Sequence, residues 1–160
     1  MGMSDYYRQL RGTVGTDLLM IPAVAAVIHN ENDRILMLRS HADGDWGLPA
    51  GAIEPSESPS KAIIREVVEE TGVDVTPRRV LGVFGGENYR VIYPNGDQVE
   101  YTVIVFDCEI LSGELQAVDG EALEFGWFDP ASPPEMDVKY PSTVLEGDIS
   151  GPYFDLPSDD

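Results

Sequence analysis

The chain has 160 residues, of which 42% are hydrophobic, and this suits one folded domain with a substantial core. It carries 29 acidic and 10 basic residues, and its net charge of −19 disfavours binding to nucleic acids or anionic membranes. It contains no long apolar run, and its first residues are too polar for a signal peptide. The single cysteine, Cys108, cannot form an intrachain disulfide, and because it lies in the apolar run VIVFDCEI we expect a buried thiol. Together these features favour a cytoplasmic protein.

The first part of the chain predicts a short helix followed by two strands. Residues 4–12 suit the helix, which would lead into the domain. The run PAVAAVIHN at 22–30 is apolar and β-branched, as in a buried strand. The polar sequence NEND at 30–33 favours a turn, so residues 34–40 are predicted to return as the hairpin partner of that strand.

Residues 58–71 have the strongest helical pattern in the chain. Ser58 is a suitable N-cap, and Pro59 stands where its missing N–H does no harm. Gly72 is a natural helix stop. At 100° per residue, one arc of the helical wheel is apolar and should be buried. That arc contains Ile63, Ile64, Val67, Val68 and Thr71.

The remaining strands are predicted at 79–86, at 89–110 and at 122–129. The middle segment contains the dipeptide Asn95–Gly96, which is a strong hairpin signal. After Pro130 the composition leaves open whether the chain forms a short helix or an ordered tail. The overall pattern is α/β, and at least one further helix is expected to cover the second face of the sheet.

A cluster of glutamates occupies the other side of the predicted helix. Glu66, Glu69 and Glu70 project from one face, because residues at i, i+3 and i+4 lie together on a helix. Taken alone, such a cluster is most often a solvated surface, since glutamate favours helices and exposure. Three carboxylates on one rigid element are also good ligands for Mg²⁺ or Mn²⁺.

The glutamates belong to a longer pattern, G-x5-E-x7-R-E-U-x-E-E-x-G-U, in which U is a bulky aliphatic residue. Its specified polar and glycine positions match by chance in roughly 1 of 10⁸ windows. The pattern is the signature of the Nudix hydrolases, and the chain resembles that family over roughly residues 20–130. The fixed positions are Gly51, Glu57, Arg65, Glu66, Val67, Glu69, Glu70, Gly72 and Val73.

The resemblance implies a fold and a division of the chain. The family has an α/β/α sandwich around a mixed β-sheet, and the signature forms a loop–helix–loop. We therefore expect a Nudix hydrolase domain over 21–135. It would be preceded by an N-terminal extension at 1–20 with a short helix, and followed by an acidic C-terminal segment at 136–160.

The resemblance also implies an activity. Nudix hydrolases cleave the pyrophosphate linkage of a nucleoside diphosphate joined to another group X, with Mg²⁺ or Mn²⁺ as cofactor. The substrate would be a small molecule of the ADP-ribose, nucleotide sugar, dinucleoside polyphosphate or nucleoside triphosphate type. A catalytically silent domain that binds a nucleotide as a sensor or regulator is the alternative, but the complete signature favours an enzyme. Family members are often homodimers.

Carried over by position, the resemblance assigns the metal to Glu66, Glu69 and Glu70, with the backbone carbonyl of Ala50 as a further ligand. Glu66 could instead be the general base. In either case Arg65 would orient Glu66, and Glu57 would pair with Arg65.

A carboxylate from a later loop often assists as base or ligand, and Glu121 is the first candidate for this role, ahead of Glu124. Because nucleotide bases need an aromatic or apolar platform, Trp46 and Tyr89 are candidates for substrate binding, beside Phe84 and Tyr93. Arg39 could hold phosphate. In the family, a tyrosine at about this distance after the signature is linked to dinucleoside polyphosphates, so Tyr89 slightly favours that substrate class.

Overall fold

The computed structural model describes residues 4–40, 44–118, 120, 122–136 and 138–156. None of the helices in this part of the chain combines the length and apolar character needed to cross a membrane. A 3₁₀ turn spans Glu87–Tyr89. The elements in chain order are α1 (Asp5–Val14), β1 (Leu19–Ile28), β2 (Ile35–Ser40), β3 (Trp46–Gly47), β4 (Ala50–Ala52), α2 (Pro59–Thr71), β5 (Val73–Phe84), β6 (Arg90–Ile92), β7 (Gln98–Gly113), β8 (Ala122–Phe128) and α3 (Ser142–Leu145).

The main sheet is mixed and is built around β1 and β7. These strands run parallel from the pair Leu19 and Val99 to the pair Ile28 and Cys108, while β4, β5 and β6 add antiparallel. The strand order is β4-β1-β7-β5, with β6 also on β7. From Val24 onwards every residue of β1 is fully buried, because both faces of the sheet are covered. Cys108 is buried in this sheet, as predicted.

The predicted hairpin between β1 and its successor is wrong. The chain does turn at residues 30–33, where Asn30 accepts hydrogen bonds from the backbone of Asn32 and Arg34. Both edges of β1 are already occupied by β4 and β7, so β2 leaves for a small second sheet of order β3-β2-β8. Only an isolated bridge between His29 and Ile35 joins the two predicted partners among the described residues.

The signature helix α2 covers one face of the main sheet. Ser58 caps its N-terminus by accepting from the backbone N–H of Lys61, and Gly72 ends it in the left-handed conformation at φ 74°. A side chain at position 72 would also collide with Gln116. The buried helix residues Ala62, Ile63 and Val67 pack against the sheet.

The opposite face is covered by α1 and by the C-terminal part of the chain, which completes the α/β/α sandwich. Tyr7 of α1 packs on Ile21 and Val99, while Val144 and Leu145 of α3 join the larger core cluster. The leading helix and the hairpin of β6 and β7 are both confirmed. The predicted division at residues 20 and 135 stays a prediction.

Candidate functional site

Two of the three clustered glutamates on α2 are buried. Glu66 is 1% exposed and Glu70 is 9% exposed, whereas the side chain of Glu69 is 50% exposed. The helical wheel placed Ile64 in the buried arc, but it is 37% exposed. Contacts from β4 and the loop that follows it cover the glutamate side of the helix instead. Glu66 and Glu70 therefore do not belong to a solvent-exposed surface.

Arg65 ties the loop to the helix. Its Nε and Nη2 donate to the two carboxylate oxygens of Glu57 at 2.9 and 2.8 Å, and Nη1 donates to Oε1 of Glu66 at 2.7 Å. Longer contacts reach the carbonyl of Ala52 and the carboxylate of Glu69. A guanidinium suits this task because it offers several donors in a fixed plane.

The loop is arranged to present Glu57 to this arginine. The backbone N–H of Glu54 donates to Oε2 of Glu57 at 3.1 Å, and the intervening Ser56 has a positive φ of 66°. Gly51 is an extended residue of β4, paired with Val24. The sharp bend of the loop therefore falls near Ser56.

The protonation of Glu57 and Glu66 is shifted in opposite directions. Hydrogen bonds from Arg65 hold the pKa of Glu57 below its usual range. Burial raises the pKa of Glu66 to about 7, although the hydrogen bond from Arg65 acts against this. Burial thus outweighs the neighbouring cation at Glu66, because only one of its oxygens is paired.

The unpaired oxygen of Glu66 is the clearest indication of a ligand-binding site. Oε2 of Glu66 is buried and has no hydrogen-bond partner among the described residues. Nearby, Glu70 accepts from the backbone N–H of Ala50 at 3.0 Å, which places Ala50 beside the helix. A buried oxygen without a partner is costly unless a cation or a proton meets it.

Within the described part of the chain, no three His, Cys, Asp or Glu side chains come close enough together to hold a metal ion. Mg²⁺ does not need three, since it commonly binds through one or two carboxylates and keeps several water molecules. The donors around Glu66 and Glu70 are oxygens, which hard cations prefer. The residues present therefore fit a divalent cation of this class.

Arg39 and Trp46, two of the predicted substrate residues, lie together on the small sheet. The guanidinium of Arg39 is 6.0 Å from the ring centroid of Trp46 and 3.7 Å from the carboxylate of Glu124. Trp46 packs edge-on against Phe128. Arg39 thus has an acidic partner in Glu124, while Glu121 lies outside the described residues.

Tyr89, the third predicted substrate residue, lies elsewhere, in an aromatic cleft of about 490 Å³. Its ring centroid is 5.7 Å from that of Phe84 and 6.2 Å from that of Tyr140, and its hydroxyl donates to the carbonyl of Lys139. The residues that line this cleft include Phe84, Asn88, Tyr89, Lys139, Tyr140 and Asp155.

Sequence reasoning missed the part of the cleft that follows residue 136. Lys139, Tyr140 and Asp155 come from a segment without strand or helix periodicity. The only signal in the sequence was the pair of tyrosines beside prolines, at KYP and GPY. An aromatic residue beside a proline is common in surface loops as well, so this signal is weak.

Comparison with known proteins matches this geometry. A family model described as NUDIX domain matches residues 20–146. A MutT-like protein of Streptomyces ambofaciens is 30% identical over 133 residues, which are 82% of this chain and 79% of that protein. An ADP-ribose pyrophosphatase of Methanocaldococcus jannaschii is 32% identical over 123 residues, 74% of this chain and 69% of that protein.

The fold comparison agrees. A crystal structure of an ADP-ribose pyrophosphatase from Streptococcus suis superposes with a TM-score of 0.65 at 27% identity, covering 81% of this chain and 92% of that one. The fold and the loop–helix site define a Nudix-type α/β/α hydrolase. The chain belongs to the NUDIX family, and the family and fold inferred from the signature are confirmed.

Proposed function

We propose that this protein hydrolyses the pyrophosphate linkage of a nucleoside diphosphate joined to another group X, with Mg²⁺ or Mn²⁺ as cofactor. The observation that carries the proposal is the buried Oε2 of Glu66, which lacks a partner among the described residues and lies on the same helix as Glu70. The chain has few cations of its own, with 10 basic residues against 29 acidic ones, so a metal must supply most of the positive charge for phosphate.

Glu66 and Glu70 would hold the cation, with Glu69 and the carbonyl of Ala50 as further ligands. When bound, a divalent cation neutralises phosphate charge and lowers the pKa of the attacking water. Glu66 is alternatively the general base, since its Oε2 is free of hydrogen bonds to the described residues. Water adds to one phosphorus, the bridging P–O bond breaks, and two phosphate-bearing products leave.

Arg65 and Glu57 would position the carboxylate of Glu66 and would not contact the substrate themselves. The bidentate pair fixes the guanidinium, and the guanidinium fixes Oε1 of Glu66 at 2.7 Å. The other oxygen is thereby aimed away from the arginine. If Glu121 contributes a further carboxylate, it would act as an additional base or ligand.

The aromatic cleft fits the nucleoside end of such a substrate. Phe84 lies in register with Val103, Ala23 and Ala52 across the main sheet, so three strand spacings, roughly 14 Å, separate it from β4. A substrate with its phosphates near β4 would reach this distance only through an extended linker. Arg39 and Trp46 would contact the X group or a phosphate from the small sheet.

The test is a hydrolysis screen with Mg²⁺ and with Mn²⁺. It covers ADP-ribose, nucleotide sugars, dinucleoside polyphosphates and nucleoside triphosphates, and ADP-ribose comes first because two of the similar proteins carry that name. Glu70→Gln is the inactivated variant, and Glu31→Gln, in an exposed turn, is its matched control. Turnover in the wild type and Glu31→Gln, but not in Glu70→Gln, is expected.

Equal and negligible turnover by all three proteins on every substrate would favour a nucleotide-binding sensor or regulator. We propose further that the protein acts on small molecules in the cytoplasm, apart from nucleic acids and membranes, and that it forms a homodimer. The net charge of −19 supports action apart from nucleic acids and membranes, because both are anionic. Light scattering at two ionic strengths tests the homodimer, since salt would screen the repulsion between two acidic copies.

A further inference from the structure

The last part of the described chain lies outside the residues that the family model matches, and it is fastened to β5. We call residues 147–156 the C-terminal strap. The backbone N–H of Tyr153 donates to the carbonyl of Leu81 at 2.8 Å, and the N–H of Val83 donates to the carbonyl of Tyr153 at 2.9 Å. The strap therefore adds a short parallel bridge to the edge of the main sheet at Gly82.

Two features of β5 hold the strap in place. Arg79 donates from Nη1 to the carbonyl of Ile149 at 2.9 Å and from Nη2 to the carbonyl of Gly147, while its Nε pairs with Asp107 on β7. Gly82 leaves room for the strap, because a Cβ there would stand 3.1 Å from the carbonyl oxygen of Tyr153 and within 3 Å of the Phe84 ring.

This attachment brings two strap side chains to the aromatic cleft. The ring of Tyr153 stacks on Phe84, with centroids 5.4 Å apart and an angle of 15° between the planes. Asp155 lines the cleft, and its Oδ1 accepts from the hydroxyl of Tyr153 at 3.0 Å. The hydrogen bond fixes the carboxylate at the mouth of a cleft whose walls are mainly aromatic rings.

The charge of Asp155 restricts what the cleft can hold. A carboxylate repels phosphate and accepts hydrogen bonds without donating any. Lys139 also lines the cleft, and both Lys139 and Asp155 are exposed, but only Asp155 has its charged group held by a hydrogen bond within the described residues. The cleft therefore combines aromatic walls with a carboxylate. A flat ring that stacks between the aromatic side chains and offers an N–H donor to Asp155 fits both of these features.

We propose that the C-terminal strap completes the subsite for the base of the nucleotide, and that Asp155 selects bases carrying an exocyclic amino group. This inference rests on the proposed function, since it assumes a nucleotide substrate. Asp155 acts here as a specificity-determining residue. Arg79 is a positioning residue, which acts through the strap rather than on the ligand.

Titration with uncharged nucleosides tests the role of Asp155. Adenosine and guanosine carry an exocyclic amino group, whereas the base of purine riboside has no N–H donor, and EDTA in the buffer removes the metal site from the measurement. We expect at least one of the two to bind the wild type about tenfold more tightly than purine riboside, because a hydrogen bond to a charged acceptor is lost with purine riboside. Ring signals of Tyr89 and Tyr140 in NMR spectra report binding at the cleft.

Asp155→Asn is the matched variant. Its amide oxygen can still accept from Tyr153, so the strap keeps its anchor, but the negative charge is removed. The amino-bearing nucleosides should lose their advantage to below about threefold. Equal affinities for all three nucleosides in the wild type, no shift of the ring signals, or an advantage that persists in Asp155→Asn would each overturn the inference.

Adjacent arginines allow a matched test of positioning. Arg78 and Arg79 both lie on β5, and each pairs with an acidic residue of β7, Glu109 and Asp107 respectively. It is Arg79 that also donates hydrogen bonds to the strap. Arg79→Gln should abolish the nucleoside preference, Arg79→Lys should restore part of it, and Arg78→Gln should leave it unchanged. Retention of the preference in Arg79→Gln would refute the positioning role.

The outcome separates this inference from the proposed function. A protein that hydrolyses a substrate with Mg²⁺ but shows no preference among nucleosides rejects only the role of the strap. A protein that distinguishes the nucleosides but hydrolyses nothing in the screen rejects only the catalytic proposal.

Discussion

Two arginines organise the two ends of the candidate site, and their partners differ. Arg65 binds three side-chain carboxylates and one backbone carbonyl, and its contacts with Glu57 and Glu66 are the shortest, within 2.9 Å. Arg79 binds backbone carbonyls of the strap and only one carboxylate, that of Asp107. The first arginine sets the direction of a buried acid, whereas the second sets the path of a backbone segment.

The difference between the partners of Arg65 and Arg79 indicates which chemical groups each end of the site can bind. At the carboxylate end, the buried pair Glu66 and Glu70 suits a cation, and through it phosphate. At the aromatic end, Phe84, Tyr89 and Tyr140 supply flat apolar surfaces that suit an uncharged ring. The chain thus separates charge from stacking across the main sheet. The following predictions test that separation, in order of decreasing expected effect.

Removing the two buried carboxylates should have the largest effect. Glu66→Gln/Glu70→Gln should reduce turnover about a thousandfold, because the cation contributes several kcal/mol to transition-state stabilisation. In thermal unfolding, Mg²⁺ at about 100 times its Kd should stabilise the wild type by about 2.7 kcal/mol and the double variant hardly at all. Asp155→Asn, at the aromatic end, should keep the full response to Mg²⁺. An equal response in the double variant would contradict the ligand assignment.

The pH dependence of stability should report the burial of Glu66. Its folded-state pKa of about 7 lies above the unfolded value of about 4.3. The neutral form therefore contributes stability that is complete below about pH 4 and is lost as pH rises through 7. Glu57, with its lowered pKa, contributes stability above its unfolded value and loses it only in acid, outside this window.

In EDTA, the free energy of unfolding of the wild type should fall between pH 5 and 8 by on the order of 3 kcal/mol more than that of Glu66→Gln. Denaturant unfolding at each pH measures this. Glu69→Gln is the control, since that side chain is half exposed. Parallel profiles for wild type and Glu66→Gln would show that Glu66 is not held neutral by burial.

Replacing the arginine of the carboxylate end should have an intermediate effect. Arg65→Lys cannot pair with both oxygens of Glu57 while also donating to Glu66, so Glu66 loses its fixed direction. We expect kcat/KM to fall about 10- to 100-fold, the range typical of residues that orient metal ligands. Arg78→Lys, at an exposed ion pair with Glu109 that joins β5 to β7, should leave kcat/KM unchanged. Equal values for both variants would show that Arg65 is structural only.

The sequence predicts the carboxylate end far better than the aromatic end, for a physical reason. Spacing along one helix and its loop decides which of Glu57, Arg65 and Glu66 meet, so a local pattern contains the geometry. The cleft joins Phe84 on β5 to Tyr140, 56 positions later in the sequence, and no periodicity encodes that contact.

Two expectations failed for related reasons. The turn after β1 was correctly located, but the partner of β2 depended on which edges β4 and β7 occupy. On α2, Ile64 is expected to be buried because it is apolar, but it is exposed. Which side of the helix is covered depends on where the loop that precedes α2 packs. Both are properties of tertiary packing that no short window of sequence contains.

The smallest effect concerns the hydroxyl of Tyr89. Burial raises its pKa to about 12, so the hydroxyl stays protonated and donates to the carbonyl of Lys139 at 3.1 Å. Tyr89→Phe keeps the ring and loses only this bond, about 1 kcal/mol of stability, so KM should change less than about threefold. Tyr89→Leu removes the ring, and because base stacking is worth about 1–3 kcal/mol, KM should rise about tenfold with kcat unchanged. If Tyr89→Leu leaves KM as in Tyr89→Phe, the ring does not contact the substrate, and the separation of charge from stacking fails at its aromatic end.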